Sequence, residues 1–433
     1  MKILITLAIL ALYRLASHVP VPGSNPEAIS QIMQAGQAGG TLVGLLDLLS
    51  GGTVSRFSVL AMGVYPYITA QIILQLLVPI IPALKARMEE DPREGQKWMN
   101  RWTYILAVPM AALNAVGQIN LFNALAPQGV LVIDNFGWTG ASLLPSLAII
   151  ASMTAGTMFA IWLGELISEY GIRQQGLSLI IFAGIISRIP SSLAALMADQ
   201  ERRVILIVLT LIITTLTIFA IVFVQQGRRN VVVIYKGRRV GNRMSMPVRT
   251  TLPLMVNMAG MIPLIFAQSL LTFPAIVAAF FTTSKWEWLR SLSNTVQSLF
   301  GGQSDFYWIM YFLFVVGFTF FYTNVLFDQQ NYGRNLARAG AEIPNVSPRE
   351  EGALMQRYLN KVLSRITLPG ALFLGLVAIL PWVLGKVSGL GQNTELLLVQ
   401  SAGLLIVVGV VRDIFVNIQA ELKTRYDDVR LVR

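Results

Sequence analysis

Very few side chains in this chain could do covalent chemistry. The 433 residues include no cysteine and one histidine, His18. Thiolate metal sites, cysteine nucleophiles and disulfides are excluded, and so is a histidine cluster. The charged residues inside or beside apolar stretches include Arg14, His18, Arg56, Glu165, Arg188, Arg412 and Asp413, and all but Arg188 lie toward the ends of those stretches. No carboxylate occupies the middle of one, where a charge would cost about 3 kcal/mol and mark an ion or proton path. A membrane Ser/His pair would need a histidine deeper than His18. No catalytic, cofactor-binding or metal-binding constellation is present, and the chain does not read as an enzyme. The neutral polar residues Gln71, Gln75 and Asn257 remain inside apolar stretches, where such groups join helices at roughly 1 kcal/mol or less each or form a polar seam that can open.

The elements that must position these residues are apolar helices. The composition is 55% hydrophobic and 13% charged, against about 25% charged in soluble domains. Ten spanning candidates can be read, at residues 3–19, 58–84, 103–122, 143–166, 177–197, 204–224, 254–281, 307–327, 366–387 and 396–418. The N-terminus has signal-peptide features, but Tyr13-Arg14 cuts the apolar core and no A-x-A site follows. It reads instead as a first transmembrane helix. The stretch 41–50 is apolar yet too short to cross, because a crossing takes about 20 helical residues. Gly51-Gly52 breaks it before the second span. A half-length element of this kind enters a membrane only where protein or a water-filled cavity surrounds it.

Lys and Arg set the orientation. The loops after the even-numbered spans and the C-terminal tail carry 23, the opposite loops 5. Basic residues collect on the cytoplasmic side, so both termini and the even loops are expected there. Ten spans divide into two halves of five, 1–200 and 201–433, and an odd number per half inverts the second. Inverted halves place a functional path at their interface. No residue-level repeat is read between them. Val64 and Ile68, like Leu177 and Ile181, are aliphatic pairs four apart on one helix face, a spacing too common in apolar helices to choose between packing, lipid contact and a pore lining. Three functions stay open on these grounds: a protein channel, a ten-helix solute transporter, and a membrane scaffold whose basic loops bind a partner.

Longer strings carry a resemblance. YRLASHVPVPG, LLSGGTVSRFSVLAMGVYPYITAQIILQLL, GLSLIIFAGI, VNMAGMIPLIFAQSLLTFP and GLLIVVGVVRD resemble, in order and spacing, segments of the SecY family, the central channel subunit of bacterial protein export. The resemblance implies an all-α polytopic membrane protein: ten transmembrane helices in two inverted five-helix halves around an hourglass pore, with a re-entrant plug helix. Its implied task is to pass secretory proteins across the bacterial cytoplasmic membrane and to release membrane segments sideways. It places a pore ring on Val64, Ile68, Leu177, Ile181, Ile265 and Ile406. The plug falls on 41–50, with Leu45, Leu46, Leu48 and Leu49, and Gly51 and Gly52 as hinge. The lateral gate lies between the second and third spans and the seventh and eighth, with Gln75 and Asn257 at polar gate positions.

Two cytoplasmic loops, 225–253 and 328–365, resemble the family's docking loops. The first reads as a β-hairpin with a basic tip near residues 237–241. Arg228, Arg229, Arg238, Arg239 and Arg243 there could meet ribosomal RNA phosphates or acidic patches on the SecA motor, or could simply fix topology. In the second loop the family's I-R-P-G pattern reads Val346-Ser347-Pro348-Arg349, and Arg349 is the substitute arginine. The implied partners are SecE and SecG, the SecA ATPase, the ribosome, signal-sequence-bearing preproteins and membrane lipids, with no cofactor. The chain also starts at its first helix, where the family usually has a cytoplasmic segment.

Overall fold

The computed structural model describes residues 2–25, 29, 53–54, 57–125, 132–133, 136–137, 140–172, 175–198, 203–235, 239–240, 243–244, 246–279, 281, 286–302, 304–344, 346, 352–388, 403–419 and 422. The expected plug with its leucines, Gly51, Gly52, Arg238 and Arg349 lie outside these residues. The helices are α1 (Lys2–Ala16), α2 (Tyr65–Ile80), α3 (Pro82–Glu90), α4 (Pro92–Leu125), α5 (Leu143–Tyr170), α6 (Gly176–Ala198) and α7 (Arg203–Gln226). After them come α8 (Ile262–Ala279), α9 (Glu287–Phe300), α10 (Asp305–Gln330), α11 (Tyr332–Arg338), α12 (Ala353–Ser388) and a last helix, α13, at 403–419. Each expected span overlaps one of them. Among the described residues, four are able to cross a membrane by length and composition, or five if the bent pair α2–α3 is one span.

Two expected spans are corrected. The second is expected as one run over 58–84, but Ser58 bridges to Pro20, residues 59–64 are turns and α2 starts at Tyr65. It stops at Ile80 because Ile81 is extended (φ −96°, ψ 109°). Pro82 clashes with a helical conformation in the residue before it, and α3 leaves at 97°. Asp91-Pro92 repeats the device: Asp91 is extended, and its Oδ1 accepts from the Arg93 and Glu94 amides at 3.1 and 3.2 Å. This cap starts α4 well before the expected residue 103. The seventh span was read from residue 254, yet Leu254 and Met255 end a strand and α8 starts at Ile262. Their backbone pairs with Arg229 and Arg228, a ladder that apolarity alone does not reveal.

That ladder joins β1 (Arg228–Tyr235) to β4 (Val248–Met255), with a small tip ladder of β2 (Arg239–Val240) and β3 (Arg243–Met244). A fifth strand, β5 (Ala341–Glu342), comes from the second loop and pairs with Tyr235 and Ile234, giving the order β4-β1-β5. Val231 and Leu254 bury one face of this sheet with Phe327 of α10, Ile343, and Met355, Leu359 and Leu363 of α12. The two basic loops are therefore one platform fastened to helix ends.

Candidate functional site

The aliphatic residues singled out above converge. Val64, Ile181 and Ile406 belong to one buried cluster, with Ile68 and Leu177 packed against it. Ile68 also joins Tyr65 and Ile265. The ring residues thus come from four helices, α2 and α6 of the first half and α8 and α13 of the second. Val64 is the N-cap residue of α2, and the other five fall within the first turns of their helices. These residues meet where irregular backbone turns into helix, and at membrane depth such backbone needs a protein lining.

The entries to α2 and α8 share a pattern that the sequence reading missed. Residues 63–71 read GVYPYITAQ and residues 260–268 read GMIPLIFAQ, so Gly, Pro, Ile, Ala and Gln recur at the same offsets. The glycines have φ of 50° and 64°, in the left-handed region that glycine enters at no steric cost. Each helix starts two residues later. Pro66 and Pro263 fall at its second position, where a missing N–H leaves no hydrogen bond unmade. Ile68 and Ile265 follow each glycine by five. The helices are short, 16 and 18 residues. Interrupted helices at corresponding places in two inverted halves mark the path in such folds. The repeat was legible only by aligning second span against seventh.

Around the constriction, the halves meet through apolar contacts. On the side nearer the sheet, Ile72 of α2 packs with Phe266 of α8 and Tyr322 of α10, and Ile68 and Leu76 lie against them. The Phe266 ring meets Phe318 and Tyr322 edge-on at 6.0 and 5.6 Å. On the far side, Ala111, Ala115, Ile119 and Phe122 of α4 meet Ala275 and Ile276 of α8. Ile29 and Val54, which bracket the plug stretch in sequence, belong to this same cluster.

Polar groups punctuate this seam. The Tyr65 hydroxyl donates across the halves to the Ser269 carbonyl at 3.4 Å. Gln75 lies beside Tyr322 with its Oε1 buried and without a well-formed hydrogen bond. Gln118 Oε1 on α4, Ser269 Oγ on α8 and Thr323 Oγ1 on α10 are likewise buried with no partner among the described residues. A buried polar group without a partner costs about 1–3 kcal/mol. Gln118 and Asn114 are neutral polar residues inside the apolar stretch 103–122, as Gln75 is in its own. Asn257 does something else. Its Nδ2 donates to the Gly260 carbonyl at 3.1 Å, and its Oδ1 accepts from the Gly260 amide at 2.9 Å, so it clasps the turn into α8.

The basic residues separate. Arg228 and Arg229 are exposed at the base of the hairpin, opposite Met255 and Leu254, roughly 25 Å from the far end of β1 at about 3.3 Å per residue. Arg239 and Arg243 belong to the tip ladder.

The SecY family model matches residues 58–415. The chain is 35% identical to protein translocase subunit SecY of Micrococcus luteus, over 98% of this chain and 95% of that one. It is 34% identical to the same subunit of Escherichia coli (strain K12), over 88% and 83%. Its fold is that of a solved protein-conducting channel (TM-score 0.64, 17% identity, covering 97% of this chain and 92% of that one). It also matches a SecY structure concerned with plug-domain stabilisation of the closed channel (TM-score 0.65, 18%, covering 97% and 92%). A third likeness is to an idle yeast Ssh1 complex bound to the yeast 80S ribosome (TM-score 0.60, 13%, covering 97% and 90%).

Proposed function

The chain belongs to the SecY family, and from that premise we propose that it is a passive protein-conducting channel for export and for lateral insertion of membrane proteins. The observation that carries the proposal is the convergence of Val64, Ile68, Leu177, Ile181, Ile265 and Ile406 from four helices of both halves. Short branched side chains at a constriction exclude water and ions by dewetting. They offer no fixed polar partner, so varied side chains of a passing chain meet the same surface. Sealing of this kind needs no catalytic group. The relatives and structures above give the solute-transporter reading no support.

The finer reading is ten membrane crossings in the bacterial cytoplasmic membrane, both termini cytoplasmic, in the halves 1–200 and 201–433. Residues 41–50 act as plug on the outer side with Gly51-Gly52 as hinge, a role supported by the shared cluster of Ile29 and Val54. The lateral gate runs along α2 and α4 against α8 and α10. A hydrophobic signal segment would replace the apolar contacts there, and the one hydrogen bond described across the α2–α8 contact, Tyr65 hydroxyl to Ser269 carbonyl, would be given up when it parts. The sheet carries the docking surface, with Arg239 and Arg243 in its tip ladder. SecA, the ribosome, SecE and SecG are the partners the family likeness suggests.

Crosslinking tests the channel directly. Photoreactive probes at positions 68 and 265 should both capture a stalled secretory precursor. Capture at neither, with the protein intact, would overturn the proposal. Ile406→Asn should raise ion leak in planar bilayers and admit precursors with weak signals; unchanged conductance would remove Ile406 from the ring.

A further inference from the structure

Helix α9 joins α8 to α10 and has no task in the reading above. Because β4 leads into the start of α8, the end of α8, and α9 with it, lies on the side opposite the sheet. Its surface divides into three stripes at about 100° per residue. Leu289, Ser293, Val296 and Phe300 face the body. Ser293 is buried and its hydroxyl donates to the Ala278 carbonyl at the end of α8, at 2.6 Å. Phe300 packs against the body clusters and meets the Phe306 ring of α10 at 5.8 Å. Glu287, Arg290, Ser291, Asn294, Thr295 and Ser298 line an open polar groove, with Thr295 at its border with the next stripe. The third stripe, Trp288, Leu292, Thr295 and Leu299, lies between these two.

That third stripe is apolar and uncovered. Trp288, Leu292 and Leu299 are 63%, 57% and 37% exposed. The spacing of 4, 3 and 4 makes a single apolar line along the helix. It runs on into the outward face of α10, where Phe306, Ile309 and Leu313 are 41%, 54% and 54% exposed. An α10 that crosses the membrane turns those residues to lipid, so the α9 stripe continues a lipid-facing surface. Tryptophan favours the headgroup level, where its amphipathic ring has both an apolar and a wet neighbour.

We propose that α9 is an interfacial anchor, lying in the headgroup layer on the membrane face opposite the sheet, with Trp288, Leu292 and Leu299 dipped into the acyl boundary. A helix so placed has its apolar line toward the bilayer, one flank on the protein and the other in water, and the three stripes supply those surroundings in that order. The anchor ties α8 and α10, the second-half helices of the gate, to the lipid surface. Displacing α8 then drags α9 through the headgroups, and the gate feels the composition of that leaflet. The proposal rests on the spanning assignment of α10 and adds to it.

The absence of native cysteine makes the test direct. Leu292→Cys, Leu299→Cys and Asn294→Cys are each spin-labelled in the full chain, reconstituted in phosphatidylethanolamine–phosphatidylglycerol vesicles. Collision with oxygen reports lipid and collision with a nickel chelate reports water. The oxygen-to-nickel ratio should be severalfold higher at 292 and 299 than at 294, with a depth about 5–10 Å below the headgroup boundary. Equal nickel access at 292 and 294 would overturn the anchor. So would shielding of 292 from both reagents, which would mean that protein covers the stripe. A label at Leu313→Cys should sit deep in lipid; water there would overturn the spanning of α10 and the anchor with it.

Discussion

The entries to α2 and α8 have the same backbone and different fastenings. Both turn on a left-handed glycine, enter the helix over a proline and deliver an isoleucine to the constriction five residues on. The second is held by a polar clasp, Asn257 on Gly260. The first has no side-chain cap. It is held by burial of Phe57, Leu60, Ala61 and Met62, by the Thr53 hydroxyl, which donates to the Leu60 carbonyl at 2.6 Å from beside the stretch 41–50, and by backbone bonds between 57–59 and the chain after α1: Val21 N–H to Phe57 O at 3.1 Å and Val59 N–H to Val19 O at 2.9 Å. Phe57 and Met62 share their cluster with Ile29 and Val54 on either side of the plug stretch. A local clasp holds whatever its surroundings do. Packing shared with a neighbouring segment loosens when that segment leaves. With residues 41–50 as the proposed plug, the first entry is the one coupled to it and the second is the fixed wall.

Phe57 offers the largest way to break this contrast. It is fully buried, stacks edge-on with Phe122 at 5.1 Å, and holds φ of 45°. For a bulky residue that conformation is an outlier, with a cost on the order of 1–3 kcal/mol that the surroundings must hold. Phe57→Ala should lower stability by about 3–5 kcal/mol, as deletion of a buried aromatic does, and should raise ion leak. Met258→Ala, at a half-buried place beside the second entry, should cost less and leave the seal tight. Thermal melting and conductance of the two reconstituted variants decide it; equal leak would erase the distinction between a coupled and a fixed entry.

Asn257→Ala is expected to have a middling effect. It leaves the Gly260 amide and carbonyl without their partner, about 1–2 kcal/mol for a half-buried pair. The second entry should then relax, so that a probe at 265 captures precursor from a wider span of its sequence while a probe at 68 keeps its pattern. A change at 68 alone would show that the clasp acts on the other half.

The parts of this arrangement differ in how plainly the sequence displays them. Apolar run lengths locate the helices, since in lipid every backbone group must pair within its own segment. The ends misled where a non-local partner took over: Leu254 and Met255 are as apolar as the helix behind them, and only the ladder to Arg229 and Arg228 makes them strand. The β1–β4 hairpin was legible from its β-branched run and glycine turn, but its third strand was not, because a two-residue β5 carries no pattern of its own. Ring membership came from family resemblance, since aliphatic spacing is the same in a gasket as in a lipid face. Asn257 was read as a gate contact because a buried amide looks alike whether it reaches across a seam or back to its own turn.

The smallest effect is the cleanest comparison. A Cβ at Gly260 would meet no atom within 4 Å, so Gly260→Ala introduces no clash and costs only the left-handed conformation, about 1–2 kcal/mol. Gly63 has nearly the same φ and sits in a fully buried turn, so Gly63→Ala pays that cost together with whatever its closer packing adds. Asparagine tolerates left-handed backbone better than alanine. Gly260→Asn should therefore be more stable than Gly260→Ala, and Gly63→Asn should be worse than Gly63→Ala, because there the larger side chain has to fit a packed site. Melting midpoints of the four variants give the answer. If asparagine helps at both positions, dihedral strain alone rules both turns and the entries are fastened alike; if it helps only at 260, the first entry is held by packing and the second by its local clasp.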